Sequence, residues 1–419
     1  MSETRIINDE FGTLTQYQSS RGSWRNWSRK YNGVEFMLHD GRRTIDYLLA
    51  FKAAGIKFKL NDMTDRLEIC GGLDLLPTDP EPMSDIHESV VLNWLRDVGL
   101  IGRERMLDAM SQAAAMNRYH PVVEYFKSLE WDGVDHFAKL MSFIKFSDDT
   151  DIFAQLAFKR FLIGAVAKIM VKGQNFMLVI DGRQGIGKSY IARWLCPLPA
   201  FFIEGAVHTD DKDSYKRLIS TFIWEVGELE GTTRKADRAA LKDFITRVEV
   251  TIRVPYGRHD IVKPAAASLI GTINEDGAGF LNDPTGSRRF AVVKIDNIDF
   301  DYVNHVDVHQ LWAQIYTLYQ TGESWILNQN EAEVQTAINE LYESDSPVAE
   351  HFHRMYKIDP NVKEHTPSIE ILETLKAAGL NGLDRANLME ISTQLRRLGV
   401  QKKRVGGVMG FYGIARKNF

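Results

Sequence analysis

The sequence predicts an α/β protein, a phosphate-loop core with a small mixed α+β domain ahead of it and a winged-helix-like domain behind it. Three observations carry the prediction. The short apolar run "NFMLVI" leads through the glycine-rich "DGRQGIGKSY" into "KSYIARWL", the strand, loop and helix order that a phosphate-binding loop needs. Before it, alternating and helical patterns follow one another in a stretch too short for a second large core. After it, "PSIEILETLKAAGL", "DRANLMEISTQLRRLGV" and "QKKRVGGVMGFYGIARK" read as helix, basic-ended helix and a hairpin around Gly406 and Gly407, the outline of a winged helix.

A chain of 419 residues suits two or three domains, here 41–120, 121–335 and 336–419 behind an arm at 1–40. Hydrophobic residues make up 44% and charged residues 26%, the proportions of an ordinary soluble protein. No window approaches a membrane span and "MSETRIINDEFG" lacks the apolar core of a secretion signal, so a cytoplasmic protein without a membrane partner is expected. Cys70 and Cys196 are the only cysteines; two reduced, buried thiols are expected rather than a disulfide or a zinc site. The net charge of −5 argues against a uniformly basic nucleic-acid coat. Charge is uneven, however: Ile391 to Phe419 holds Arg396, Arg397, Lys402, Lys403, Arg404, Arg416 and Lys417 with no acid, so local patches decide what the protein touches.

Taken in order, the first residues, including "TQYQSSRGSWRNWSRKYNG", are polar and lack sustained periodicity, which reads as a mobile arm. Its Arg21, Arg25, Arg29 and Lys30, mixed with Trp24, Trp27 and Tyr31, suit stacking on bases and pairing with phosphates; packing on a neighbouring surface is the other use of such residues. "TIDYLLAFKAAGI" predicts a helix with Thr44 as N-cap and Gly55 as its end. "KFKLNDMTDRLEI" alternates around an Asn-Asp turn and predicts a hairpin. After the proline-rich "PTDPEPMSD", two amphipathic helices are expected over "DIHESVVLNWLRDVGL" and "GRERMLDAMSQAAAMN", and "DIFAQLAFKRFLIGAVAKIM" reads as a long apolar helix.

In the loop itself, Gly182, Gly187, Lys188 and Ser189 meet the spacing G-x-x-x-x-G-K-S. Glycines let backbone N–H groups wrap phosphates, and the following helix presents its positive end to them. Lys188 suits the β and γ phosphates, the Ser189 hydroxyl suits Mg²⁺, and Gln184, Gly185, Ile186 and Tyr190 complete the cradle. Hydrolysis also needs a carboxylate beside the metal and one to orient water. "TFIWEVGELEG" supplies Glu225 at a strand end and Glu228 after it, with the two roles exchangeable; a helix with acids at i and i+3 on a solvated face is the alternative. "ASLIGTINEDG" is a second short strand whose tip, Asn274, can report on the terminal phosphate. Arg288 and Arg289 in "NDPTGSRRF" suit a finger that stabilises transferring phosphoryl charge in a neighbouring subunit, although a surface arginine pair is the commoner use.

Between these acids and Asn274, "VTIRVPYGRHDIVKPAA" reads as a hairpin carrying Arg253, Arg258, His259 and Lys263. A basic hairpin has no use in phosphate chemistry itself; it suits a grip on a nucleic-acid backbone. Lys402, Lys403 and Arg404 on the C-terminal wing suit phosphate contact as well, although winged helices also serve as protein-interaction modules.

In this order, "YHPVVEYFKSLEWDG", "GRQGIGKS", "WEVGELEG", "KDFITRVEVTIRVPYGR", "GTINED" and "DPTGSRRF" resemble the virulence-associated protein E family of phage and mobile-element proteins, relatives of the superfamily III helicases of the AAA+ class. The resemblance covers about Tyr119 to Phe290. It implies a P-loop AAA+ core in a homo-oligomeric ring of six subunits that hydrolyses ATP with Mg²⁺ and translocates on single-stranded or forked DNA during replication, with replisome proteins as further partners. It places Lys188 and Ser189 in the first motif, Glu225 and Glu228 in the second, Arg258 in the DNA-contacting hairpin, Asn274 at the sensor and Arg288 or Arg289 at the finger. In one respect the chain departs from that pattern: the two acids, often adjacent in superfamily III, are separated here by Val226 and Gly227. With only about 120 residues ahead of the core and no zinc ligands, no primase activity is expected. An ATP-switched initiator or loader that never unwinds, and a winged-helix regulator whose nucleotide site only senses, remain the alternatives.

Overall fold

The computed structural model describes residues 3–38, 43–147, 150–209, 211–227, 229, 235–274 except 254–259, 281, 287–340, 342, 352, 354–358, 365–377, 400 and 402–417. It is a mixed α/β fold whose buried apolar residues fall into three clusters.

The first cluster runs from Leu14 to Ala114. Residues 4–37, expected as a mobile arm, instead form a four-stranded antiparallel sheet of β1 (Thr4–Asp9), β2 (Gly12–Gln18), β3 (Trp24–Tyr31) and β4 (Val34–Met37). The inner face explains why period-two alternation is hard to read there. Leu14 and Phe36 are buried beside Arg29, which forms an ion pair with Asp9 and donates from Nε to the Val98 carbonyl at 3.1 Å. A buried arginine with both partners supplied replaces an apolar residue in the pattern, so Arg29 is a structural side chain. Helix α1 (Thr44–Ala54) follows, capped one residue earlier than expected by Arg43 and closed by Gly55 at φ 75°. The hairpin β5 (Lys57–Asn61) and β6 (Arg66–Cys70), a short β7 (Glu81–Pro82), α2 (Asp85–Asp97), α3 (Arg103–Met116) and β8 (Arg118–Tyr119) complete this part, with sheet order β7-β6-β5-β8.

The second cluster is built around α4 (Pro121–Ser128), α5 (His136–Ser142), β9 (Ile144–Phe146), α6 (Asp151–Val171), β10 (Met177–Asp181), α7 (Lys188–Trp194), β11 (Phe202–Glu204), α8 (Lys212–Ser220), β12 (Ile223–Val226), α9 (Lys235–Thr246), the hairpin β13 (Glu249–Arg253) and β14 (Asp260–Pro264), β15 (Ser268–Ile273) and β16 (Phe290–Ile298). Its six-stranded sheet has the order β11-β12-β15-β10-β16-β9, parallel except for β9 at the edge. Every residue of β10 and β15 is buried, as strands covered on both faces must be, hence their continuous apolar runs. Helix α6 is apolar nearly all round because it packs on β10 and β16 and against α11 (Val308–Gln320). Helices α10 (Tyr302–His305) and α12 (Gln329–Glu340) close this cluster.

The third cluster joins β17 (Tyr356–Ile358), β18 (Thr366–Pro367), α13 (Ser368–Ala377), β19 (Lys402–Val405), β20 (Val408–Phe411) and β21 (Ile414–Arg416). The β19–β20 turn has Gly406 and Gly407 at φ 56° and 84°, the left-handed pair that a two-residue hairpin of this twist requires. The second helix of the expected winged helix lies outside the described residues. Both cysteines are buried and free, and burial raises the Cys196 thiol to about 11. Among the described residues no helix is long and apolar enough to cross a membrane.

Candidate nucleotide site

Central strand β10 ends at Asp181, flanked by β15 and β16. The chain turns there through the glycine-rich loop into α7, at the carboxyl edge of a parallel sheet, where α/β proteins place their ligands. Two glycines are dictated by close approach. A Cβ on Gly182 would lie 2.4 Å from the Ile295 carbonyl oxygen, and one on Gly187, at φ 96°, would lie 2.6 Å from the Phe300 ring. Gly185 also has positive φ, 84°, which turns the loop without a side-chain penalty.

Lys188 is buried and folded back into the loop. Its ammonium donates to the carbonyls of Gly182 at 2.6 Å and Arg183 at 2.8 Å, and lies 3.4 Å from Asn274 Oδ1. An ammonium has three donors; the loop supplies two oxygens for them and Asn274 a third. Asn274 reaches this point because Ile273 pairs with Asp181 in the β10–β15 register, leaving the next residue beside the loop.

Glu225 lies within β12 and is 1% exposed. Its Oε1 accepts hydrogen bonds from Ser189 Oγ at 3.0 Å and from Thr272 Oγ1 at 2.8 Å. Parallel pairing of Glu225 with Ile270 sets Thr272 on the same side of the sheet. A buried carboxylate, two hydroxyls and the lysine thus meet at the mouth of a cleft of about 570 Å³, lined also by Gln184, Glu204, Gly227 and Tyr190, within the size range of small-molecule sites. Sequence reasoning missed Thr272. The signal was present, since residues 272 and 274 of one strand point to one face. It also missed Tyr342, whose hydroxyl donates to Asp181 Oδ2 at 2.7 Å; burial, then that carboxylate, raises its phenol. A sequence separation of 161 residues left no local signal.

Other expected residues stand elsewhere. Glu228, Arg258 and His259 lie outside the described residues, as does the side chain of Arg253 in β13. Arg288, exposed, and Arg289, half-buried, precede Phe290, which pairs with Met177 at the far end of β10. Four strand rises separate them from the loop, roughly 13 Å, so neither faces its own cleft. Lys263 is a correction to the DNA-contacting set. Its Nζ lies 2.6 Å from Asp65 Oδ1 and donates to the Asp62 carbonyl at 2.8 Å, with its side chain 11% exposed. The β5–β6 turn of the N-terminal part takes up this charge while inserting buried Met63 into the second cluster, so Lys263 fastens the hairpin base rather than offering it to a ligand. On the C-terminal hairpin, Lys403 and Arg404 are exposed and Lys402 Nζ sits 5.5 Å over the Phe411 ring. Among the described residues no group of three or more His, Cys, Asp and Glu could hold a metal by itself.

A model of the virulence-associated protein E-like domain matches residues 126–344, which contain the loop, Glu225, Thr272, Asn274 and the arginine pair. No curated protein matches the chain. Among solved structures, an apo structure of the NrS-1 C-terminal region (305–718) is similar at 11% identity and TM-score 0.48, covering 90% of this chain and 100% of that one. An A-form apo structure of the same region aligns at 11% identity and TM-score 0.48, covering 89% and 100%.

Proposed function

The chain belongs to the virulence-associated protein E-like family, and from that premise we propose that it is an ATP-hydrolysing motor of the AAA+ P-loop type that moves along DNA in the replication of a phage or mobile element. One observation carries the reading: the Ser189 hydroxyl, at the first turn of the helix after the glycine loop, donates to a fully buried carboxylate on the adjoining strand system, Glu225, at 3.0 Å. A buried carboxylate is costly unless it is paired or coordinates a cation, and here it is met by a hydroxyl beside the glycine-rich loop.

The chain's residues have separable tasks. Backbone N–H groups from Gly185 to Ser189 and the start of α7 hold anionic oxygen. Lys188 exchanges the Gly182 and Arg183 carbonyls for phosphate oxygens, so the loop keeps its cation fixed until an anion replaces those partners. Ser189 and Glu225 fit Mg²⁺, being hard oxygen donors held together, and the ion when bound neutralises charge building on the β and γ phosphates. Thr272 orients Glu225. Asn274, within reach of Lys188, senses whether the lysine points inward or to a phosphate. Glu228 takes the role of the base that orients water.

Arg288 and Arg289 stand at the opposite end of the sheet from their own cleft, which supports a finger acting on the neighbouring subunit and hence a ring. Arg258 and His259, between β13 and β14 in the sequence, together with Lys403 and Arg404, take the DNA phosphates. The test is ATP turnover with and without single-stranded DNA, alongside the native mass. The expected result is a multi-subunit species stimulated by DNA, with turnover abolished by Lys188→Ala; a monomer whose turnover ignores DNA overturns the motor reading.

A further inference from the structure

Two aromatic side chains stand in water beside the phosphate cradle. Tyr190 is 50% exposed and Phe300 46% exposed. Their ring centroids are 5.6 Å apart, with the planes inclined at 59°. Tyr190 is the third residue after Gly187 and the sole aromatic among the described residues lining the cleft. Phe300 comes from the turn after β16, the strand beside β10 on the side away from Glu225. Its ring is what a Cβ on Gly187 would strike.

This placement calls for an explanation. Apolar surface left in water forfeits the stabilisation its burial would bring, and about half of each ring is exposed. Along the rest of the cleft the described lining is small or polar, including Gly185, Ala206, Gly227 and Thr272. A triphosphate seated in the loop, with its last phosphate toward Lys188 and Glu225, carries its nucleoside away from them. Phe300 stands on the side of β10 away from Glu225, and Tyr190, in the cleft lining, reaches toward it. We propose that they form the platform on which the nucleotide base stacks, so that the site takes a nucleoside triphosphate and discriminates it from a bare polyphosphate.

The proposal rests on the nucleotide reading of the loop and adds the base subsite to it. The nearby acids make it specific about mode. Asp299 Oδ1 accepts from the Asp301 amide at 3.0 Å, and Asp301 accepts from Asn304 Nδ2 at 2.9 Å and lies 3.2 Å from His305 Nδ1. One oxygen of Asp299 and both of Asp301 take part in shaping the turn, and the platform itself offers a base ring faces to stack on. Face stacking is tolerant of base identity because every base has a π-face. ATP and GTP are therefore expected to bind within a few-fold of each other.

The experiment measures equilibrium binding of ATP, GTP and inorganic tripolyphosphate, each with Mg²⁺, to the full chain by calorimetry. Wild type, Phe300→Ala, Phe300→Leu, Phe300→Trp and Tyr190→Ala are compared. Base stacking on an aromatic contributes enough for on the order of ten-fold or more in affinity. Phe300→Ala and Phe300→Leu are expected to reduce the ATP preference over tripolyphosphate about ten-fold with tripolyphosphate affinity kept within two-fold, Tyr190→Ala to reduce it as well, and Phe300→Trp to retain it. An unchanged preference in Phe300→Ala overturns the platform and leaves the nucleotide reading intact. Equal loss of ATP and tripolyphosphate overturns it too, because Phe300 would then only buttress Gly187. Wild type binding neither ligand overturns the nucleotide reading and the platform with it.

Discussion

Replacing Thr272 by valine isolates the contact that sequence reasoning missed. The change swaps one hydroxyl for a methyl of similar size on a strand residue that is 7% exposed, so it leaves packing nearly intact. What it removes is the 2.8 Å hydrogen bond to Glu225 Oε1, leaving that buried oxygen with Ser189 alone. A hydrogen bond to a charged partner contributes about 1.5–3 kcal/mol, against about 0.5–1.5 kcal/mol for a neutral pair. The expected loss in local stability is therefore about 2 kcal/mol with Glu225 in place, and about 1 kcal/mol or less in a Glu225→Gln background. Amide hydrogen exchange in β12 and β15 reads this directly without assuming that the whole chain unfolds in one step. Protection is expected to fall roughly 30-fold for Thr272→Val, since each 1.4 kcal/mol is a factor of ten, and less than about ten-fold in the Gln background. Equal losses in both backgrounds, or none, would refute the claim that Thr272 acts by holding the Glu225 charge.

Two further outcomes follow from other residues. Gly182→Ala places a Cβ 2.4 Å from the backbone oxygen of Ile295, which no rotamer change relieves; the loop must shift, and tripolyphosphate affinity should fall at least ten-fold, by about 1.4 kcal/mol or more, with the fold retained by circular dichroism. Lys168, 2% exposed near the end of α6, is lowered from 10.5 to about 8 by desolvation. The unfolded chain therefore binds protons more tightly, the full penalty of about 3 kcal/mol holds below pH 8, and stability rises between about pH 8 and 10.5. Lys168→Met should raise the melting temperature at pH 7 by several degrees, with the gain shrinking as pH approaches 10; a gain that does not change with pH would assign the effect to packing instead.

Much of this architecture was legible from the order of residues because its causes are local. Glycines at 182, 185 and 187 announce a loop that must pass close to other backbone and adopt positive φ. The runs before Asp181 and Asn274 announce strands covered on both faces, and Gly55 closes a helix because only a residue without Cβ takes that turn cheaply. Lys188 and Ser189, singled out by spacing, and Glu225, singled out by the apolar run before it, line one cleft in the structure.

The remainder depends on partners that arrive from far along the chain. The N-terminal sheet escaped because its inner face carries Arg29, a charge made tolerable by Asp9 and the Val98 carbonyl; no pattern of polarity announces a buried arginine whose partners are 20 and 69 residues away. Lys263 reads as one base among several on a hairpin until folding brings Asp65 to it. Phe300, one aromatic among many in the sequence, gains its meaning from lying against Gly187. Register and strand order carry information that local preference does not, because a parallel sheet joins residues that never meet along the chain. Setting β15 between β10 and β12 is what turns Thr272, Glu225 and Ser189 into one site.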